Sequence, residues 1–403
     1  MLYLERKSKK MPKKPSVIIL LFLVSFASVS GVLFTPGLPA LQKDFQISEE
    51  LAQWTMTAFL FGYAFGQLPY GPIADRFGRL KALRLGISLQ MLGAISCAIF
   101  GFLGMFYSLV AARLVMGLGA SVGMKISFTL VGDSFSKPKA RKVTSYFLLS
   151  FAAGPALALL AGGFIVDHLG WVACFYFLFA YGLFMLLLSA FLPETLRIKT
   201  KESLTTVTKN FTKEFKNRLL ILCGIMIGLN SSFVYLFATE APFIGIRIIG
   251  LQPSIYGLFC LIPPLGMISG SLLSAYLTNF LSELKVIFLG ILVQTSGILL
   301  MLSYFGMGII TPWTLFLPIP LIYIGLSMVF GNGSALAITD ARQKAPASAI
   351  LGFLNQIVVF FSVMLLTFIP SKQAIILPIL FSCLITAIFI FWSLVAAFLA
   401  KNS

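Results

Sequence analysis

Gly71-Pro-Ile-Ala-Asp75-Arg76-Phe-Gly78-Arg79 is a short polar break between two long hydrophobic runs. Two glycines, one acid and two arginines at fixed places are improbable by chance in a chain with only 11% charged residues. An ordinary basic turn accounts for Arg76 and Arg79, but not for the spacing of Gly71, Asp75 and Gly78. The fold is therefore decided by what this loop joins.

It joins membrane spans. The chain of 403 residues is 59% hydrophobic, with a mean hydropathy of +0.97, whereas soluble domains are about 45–50% apolar and about 25% charged. Apolar runs of roughly 20 residues, each able to cross a hydrocarbon core about 30 Å thick, recur along the whole length. Twelve are expected, at about 17–40, 51–73, 83–104, 107–131, 145–167, 171–193, 219–243, 253–277, 286–306, 314–338, 349–370 and 374–399. In lipid the backbone satisfies its own hydrogen bonds, so spans this long and apolar are helices rather than barrel strands. The expected class is an all-α integral membrane protein.

The net charge of +17 invites a nucleic-acid partner, and its distribution argues against one. With the N-terminus inside, 25 of the 30 Lys and Arg fall on cytoplasmic segments, leaving Lys43, Arg247 and Lys372 outside and Arg113 and Lys125 within spans. That bias places both termini in the cytoplasm, and the basic loops meet anionic lipid headgroups instead. The five cysteines all fall within spans without paired spacing, and the sole histidine, His168, is peripheral. No metal site, disulfide framework or catalytic cluster is expected. Ser28-Val-Ser30 mimics a signal-peptidase site, but the apolar run continues to Pro36 and Pro39, so this stretch is expected to stay as the first span.

The longest polar interruption, 194–218, splits the spans six and six. The expected organisation is a basic N-terminus at 1–16, a six-helix bundle at 17–193, a cytoplasmic linker at 194–218, a second bundle at 219–399 and a tail at 400–403. A shift of about 204 residues sets Lys285-Val-Ile-Phe-Leu-Gly290 on Lys81-Ala-Leu-Arg-Leu-Gly86, and a shift of about 203 sets Pro242 on Pro39. In the second copy of the loop, Asn279 replaces Asp75 and Ala275 replaces Gly71.

The G-x-x-x-D-R-x-G-R element resembles the loop 2–3 signature of the major facilitator superfamily. Arg113-Leu-Val-Met-Gly117-Leu-Gly119-Ala120 is similar to the span 4 motif of its drug:proton antiporters, with Met116 in place of the usual Gln. Leu192-Pro-Glu194-Thr-Leu196 is similar to the sixth-span ending of the twelve-span group. Glu240-Ala-Pro242-Phe243, Asn332-Gly-Ser-Ala-Leu-Ala337 and Ala347-Ser-Ala-Ile-Leu-Gly352-Phe-Leu-Asn-Gln356 resemble the bicyclomycin-resistance (Bcr/CflA) branch. The resemblance implies two six-helix halves around a central cavity, and an inner-membrane pump exchanging small molecules for protons. One departure stands in span 5. Gly154-Pro155-Ala-Leu-Ala158-Leu159-Leu-Ala-Gly162-Gly163 lacks the second Gly-Pro of the antiporters, so Pro155 bends this helix one turn early while Gly162 and Gly163 still permit close contact.

Candidate roles follow. Asp75 is placed to accept hydrogen bonds from a helix N-terminus of the other half, a breakable latch favouring the outward-open state, with Gly71, Arg76, Gly78 and Arg79 completing it. Arg113, a cation inside a span, either holds a carboxylate, tunes a proton site, or pairs structurally within the first half. Arg113, Gly117, Ser121 and Lys125 follow one i,i+4 ridge; Lys125 either meets substrate or snorkels. Glu240, the one carboxylate placed within a span, is either a proton carrier or a wetted helix end. Asn230, Asn332, Asn355 and Gln356 either line the cavity or bond helix to helix. Tyr63, Phe59 and Phe233 are aromatic cavity candidates, or core.

Together these suggest a proton-coupled exporter of small organic molecules, using the proton gradient and no cofactor, in the inner membrane as a monomer. The alternatives are a dedicated carrier, exporter or proton symporter, for an anionic metabolite or siderophore, and a non-transporting sensor with the same fold.

Overall fold

A computed structural model describes residues 14–196, 215–339, 344–369 and 373–402. Most of the expected N-terminal segment and of the linker, 1–13 and 197–214, lies outside these.

Among the described residues the chain is helical, without strands. The first half comprises α1 (Val17–Val32), α2 (Leu38–Phe45), α3 (Glu49–Gly66), α4 (Tyr70–Phe77), α5 (Arg79–Phe102), α6 (Phe106–Ala120), α7 (Val122–Ser134), α8 (Lys137–Leu169) and α9 (Ala173–Leu188). The second comprises α10 (Arg218–Pro242), α11 (Pro253–Phe259), α12 (Pro263–Leu277), α13 (Glu283–Gly306), α14 (Pro312–Phe316), α15 (Ile319–Ala337), α16 (Lys344–Leu366) and α17 (Ile376–Asn402). The last helix runs through most of the expected tail at 400–403.

Among the described residues eleven stretches are long and apolar enough to cross a membrane. The twelfth expected span, 51–73, folds as α3 and α4 but does not reach that threshold. Its first turns carry Glu49, Glu50, Gln53, Thr55 and Thr57; Glu49 and Gln53 bond to the second bundle, while the Thr55 and Thr57 hydroxyls donate to carbonyls of their own helix. Ser48 caps α3 through its hydroxyl, which accepts from Leu51 N–H at 3.3 Å, and the two glutamates sit at the positive end of the helix. Elsewhere, outward-facing Leu92, Ile99, Phe102 and Leu187 are exposed and form the apolar belt.

The internal repeat is visible as packing. In α5, Gly86 lies against Val122 and Gly93 against Met116; in α13, Gly290 lies against Val329 and Gly297 against Ile322. One turn beyond Gly86 and Gly290 sit Gln90 and Gln294, both fully buried. Each donates to the first helix of its own half, Gln90 to Ser30 on α1 at 3.4 Å and Gln294 to Asn230 on α10 at 3.0 Å.

The halves form two helical bundles. They meet where α3 packs on α16 and where α8 packs on α11 and α12. Two faces result: a motif face carrying Asp75, and a far face carrying Glu49 and Arg247. At the far face the contact is backbone to backbone, because a Cβ on Gly163 would run into the Pro253 carbonyl. Asp167, at the end of α8, accepts from the Ser254 N–H of α11 at 2.9 Å.

Candidate functional site

Between the bundles lies a cavity of about 550 Å³, reaching from the level of Leu159 and Cys260 toward the motif face at Tyr146 and Ala275. Its walls come from α1, α8, α10, α12, α15 and α16, and Pro155 is among them. Among the described residues no Asp, Glu, Lys or Arg lines it. Its polar groups are neutral, including Tyr235, Tyr323, Asn355 and Gln356. The side-chain oxygens of Asn355 and Gln356 are buried with no hydrogen-bond partner. Both amides line the cavity, where their oxygens can accept a hydrogen bond from a solute.

The four polar candidates therefore separate. Asn355 and Gln356 line the cavity. Asn230 and Asn332 line helix contacts instead: Asn230 donates to the Leu326 carbonyl at 3.0 Å, and Asn332 donates to Ser274 Oγ at 2.8 Å and Met328 O at 2.7 Å. The aromatic candidates Phe59, Tyr63 and Phe233 are core side chains outside the lining.

Arg113 is also outside it, and fully buried. Its five N–H donors are all taken. Nε donates to Thr55 O at 3.2 Å, Nη1 to Ser30 O at 3.1 Å and Met116 Sδ at 3.5 Å, and Nη2 to Gly31 O at 3.0 Å and Met56 Sδ at 3.9 Å. The rings of Phe34 and Phe59 lie 4.3 and 4.6 Å from the guanidinium carbon, a desolvated cation–π setting. Ser30 and Gly31 belong to the last turn of α1, where carbonyls lose their helical partners. Arg113 supplies those partners, the structural pairing within the first half. A solute is left no donor on it. Gly117, one turn on, packs against the Phe59 carbonyl of α3.

Lys125 caps another helix end. Its Nζ donates to the Gln67 carbonyl at 2.9 Å, just past α3, and lies over Gly71. A cation at a helix C-terminus is favourable by about 0.3–1 kcal/mol.

Glu240 is buried at the far end of α10, and its Oε1 accepts from Gln53 Nε2 of α3 at 2.6 Å. This bond crosses between the bundles. Beside it Glu49 pairs with Arg247 at 2.6 Å, also across the bundles. The partners Glu49 and Gln53 carried a faint sequence signal, since Glu49, Gln53 and Thr57 are polar at every fourth residue of α3.

The loop motif builds a cluster within the first bundle. Arg79 pairs with Asp75, and its Nε reaches Asp133 Oδ2 at 3.3 Å, which also accepts from Thr195 Oγ1 at 2.7 Å. Among the described residues Asp75 pairs with Arg79 of its own bundle, and the expected bond to a helix N-terminus of the other half is not seen. Arg76 is exposed beside the Phe77 ring. Gly78 has φ +116°, and a Cβ there would meet Glu194 Oε2 at 2.6 Å, so glycine alone fits. Glu194 accepts from the Arg79 and Leu80 N–H groups at 3.0 and 3.1 Å, capping α5. In span 5, Gly154 and Gly162 pack against Ser25 and the Leu33 carbonyl of the first span.

Partial burial raises the Glu194 carboxyl, but the N–H groups of Leu196, Leu80, Arg79 and Thr195 outweigh it and hold the group below the usual carboxylate range. A depressed carboxyl contributes stability above its unfolded value, and that contribution is lost as pH falls through the folded one. As an exposed cap of α5, Glu194 is expected to contribute about 0.5–1 kcal/mol at neutral pH, the low end of cap values, which Glu194→Ala would lose. The difference from wild type should shrink in thermal unfolding scans carried down to acid pH.

Two bundles sealed at one face, around a cavity reaching the other, define a membrane transporter of the alternating-access kind. The profile of the Major Facilitator Superfamily matches residues 18–363, and the chain belongs to this family. It is a multi-pass membrane transporter and not an enzyme. It is 29% identical over 350 residues to the uncharacterized MFS-type transporter YdgK of Bacillus subtilis, covering 84% of this chain and 85% of that one. It is 31% identical over 264 residues to a bicyclomycin resistance protein homolog of Haemophilus influenzae, covering 64% of this chain and 65% of the relative. A crystal structure of a D-xylose-proton symporter shares the fold, with a TM-score of 0.75 at 16% identity, over 93% of this chain and 96% of that one.

Proposed function

We propose that the protein exports small, uncharged and largely apolar organic molecules in exchange for protons. The carrying observation is the cavity: about 550 Å³ between the bundles, with neutral polar groups and no ionised side chain among its described lining. Small-molecule sites are apolar with a few placed polar groups, and an anionic solute finds no cation here, since Arg113 and Lys125 are both committed to helix ends. The likeness to a bicyclomycin resistance protein homolog supports export. Glu240 is the proton carrier of this reading, because it is a buried carboxylate and its bond to Gln53 ties coupling to the far-face seal. In the opposite conformation the motif face closes, and Asp75 leaves Arg79 for a helix N-terminus of the second bundle. The protein works in the inner membrane as a monomer, with both termini cytoplasmic and the proton gradient as its energy source.

Reconstituted liposomes loaded with a pH-sensitive dye test this. Bicyclomycin added under a pH gradient is expected to move opposite to protons. Movement of both in one direction makes the protein a symporter, and no flux of any probe makes it a sensor.

A further inference from the structure

A second cavity, of about 520 Å³, lies at the motif face on the outer side of the second bundle, between the start of α10 and the end of α17. Its rim carries Lys216, Arg218 and Lys401, all exposed. Its walls below them are apolar, from Ile221 and Leu222 on one helix and Leu394 and Ala397 on the other. Among the described residues none of the three cations forms an ion pair.

The vertical order is the informative feature. Leu394 lies two turns before Lys401 and Leu222 one turn after Arg218, so at 1.5 Å per residue the apolar walls begin roughly 6–10 Å from the charges. Both helices are membrane spans, and Leu394 is turned outward and exposed. The gradient from cations to apolar wall therefore runs along the lipid-facing surface, from headgroup level into the acyl region. A soluble anion needs the charges but gains nothing from the walls. A phospholipid uses both.

We propose that this groove binds an anionic phospholipid, its phosphate held by Lys216, Arg218 and Lys401 and one acyl chain lying along Leu222 and Leu394. Basic pockets between spans on the cytoplasmic side have the chemistry for such headgroups, and the positive end of α10 points to the same place.

Native mass spectrometry of the full-length protein, with cardiolipin, phosphatidylglycerol or phosphatidylethanolamine added, decides the matter. The wild type is expected to retain cardiolipin or phosphatidylglycerol through detergent washing and to lose phosphatidylethanolamine. The triple variant Lys216→Gln, Arg218→Gln, Lys401→Gln should bind at least about tenfold less anionic lipid, while Lys285→Gln, an exposed cation elsewhere on the motif face, binds as wild type. Ala397→Trp, which fills the apolar wall and keeps every charge, should also weaken binding. Equal retention by the triple variant and wild type overturns the proposal. So does displacement of the lipid by millimolar inorganic phosphate, which would make the groove a site for free anions, or equal binding of phosphatidylethanolamine.

Discussion

Arg113→Met is expected to unfold the first bundle rather than alter solute affinity. The substitution strands the carbonyls of Ser30 and Gly31, which end α1 against Arg113 at 3.1 and 3.0 Å. A buried acceptor left without a partner costs about 1–3 kcal/mol, so two cost about 2–6 kcal/mol before the lost contacts with Phe34 and Phe59 are counted. The measurable result is a loss of folded, monodisperse protein in detergent and a large drop in unfolding temperature. Arg113→Lys keeps the charge but offers its donors from a single nitrogen, which cannot span Thr55, Ser30 and Gly31 together, so it recovers only part of the stability. A stable Arg113→Met protein with weakened solute binding would show that the side chain serves the solute after all.

Glu240→Gln is expected to have the opposite profile: a folded protein that no longer couples. Glutamine is isosteric with glutamate and keeps an oxygen for Gln53 Nε2, which now donates to Glu240 at 2.6 Å. The seal between α3 and α10 therefore persists while the titrating group is gone. Flux driven by a pH gradient should fall at least about a hundredfold, and exchange of labelled for unlabelled solute, which needs no net proton movement, should survive. Loss of both activities would make Glu240 a gate residue only. Retention of both would move proton carriage elsewhere.

The fold was legible because its cause is one-dimensional. Runs of about 20 apolar residues have a single stable form in lipid, and the Gly71–Arg79 break and the 204-residue repeat need no knowledge of neighbours. The weakest span, α3, carries polar Glu49 and Gln53, which bond to Arg247 and Glu240 of the second bundle. The cavity was legible only in part. Asn355 and Gln356 were named together with Asn230 and Asn332, and nothing in four amides on apolar helices says which pair has spent its hydrogen bonds. Arg113 and Lys125 drew attention as cations within spans, a signal that marks desolvated charge without marking what satisfies it.

Sequence alone determined that this chain is an all-helical membrane protein, because backbone hydrogen bonding in hydrocarbon leaves apolar runs one choice, and the Gly71–Arg79 motif marked its resemblance to the major facilitator superfamily. Tertiary structure alone decided that no charged residue is among the described lining of the central cavity, that Arg113 closes the broken end of α1, and that Glu240 bridges to Gln53. Those outcomes depend on which carbonyls and amides from helices distant in sequence come within about 3 Å of one another, and hydrogen bonds are too short-ranged to be read from composition or spacing.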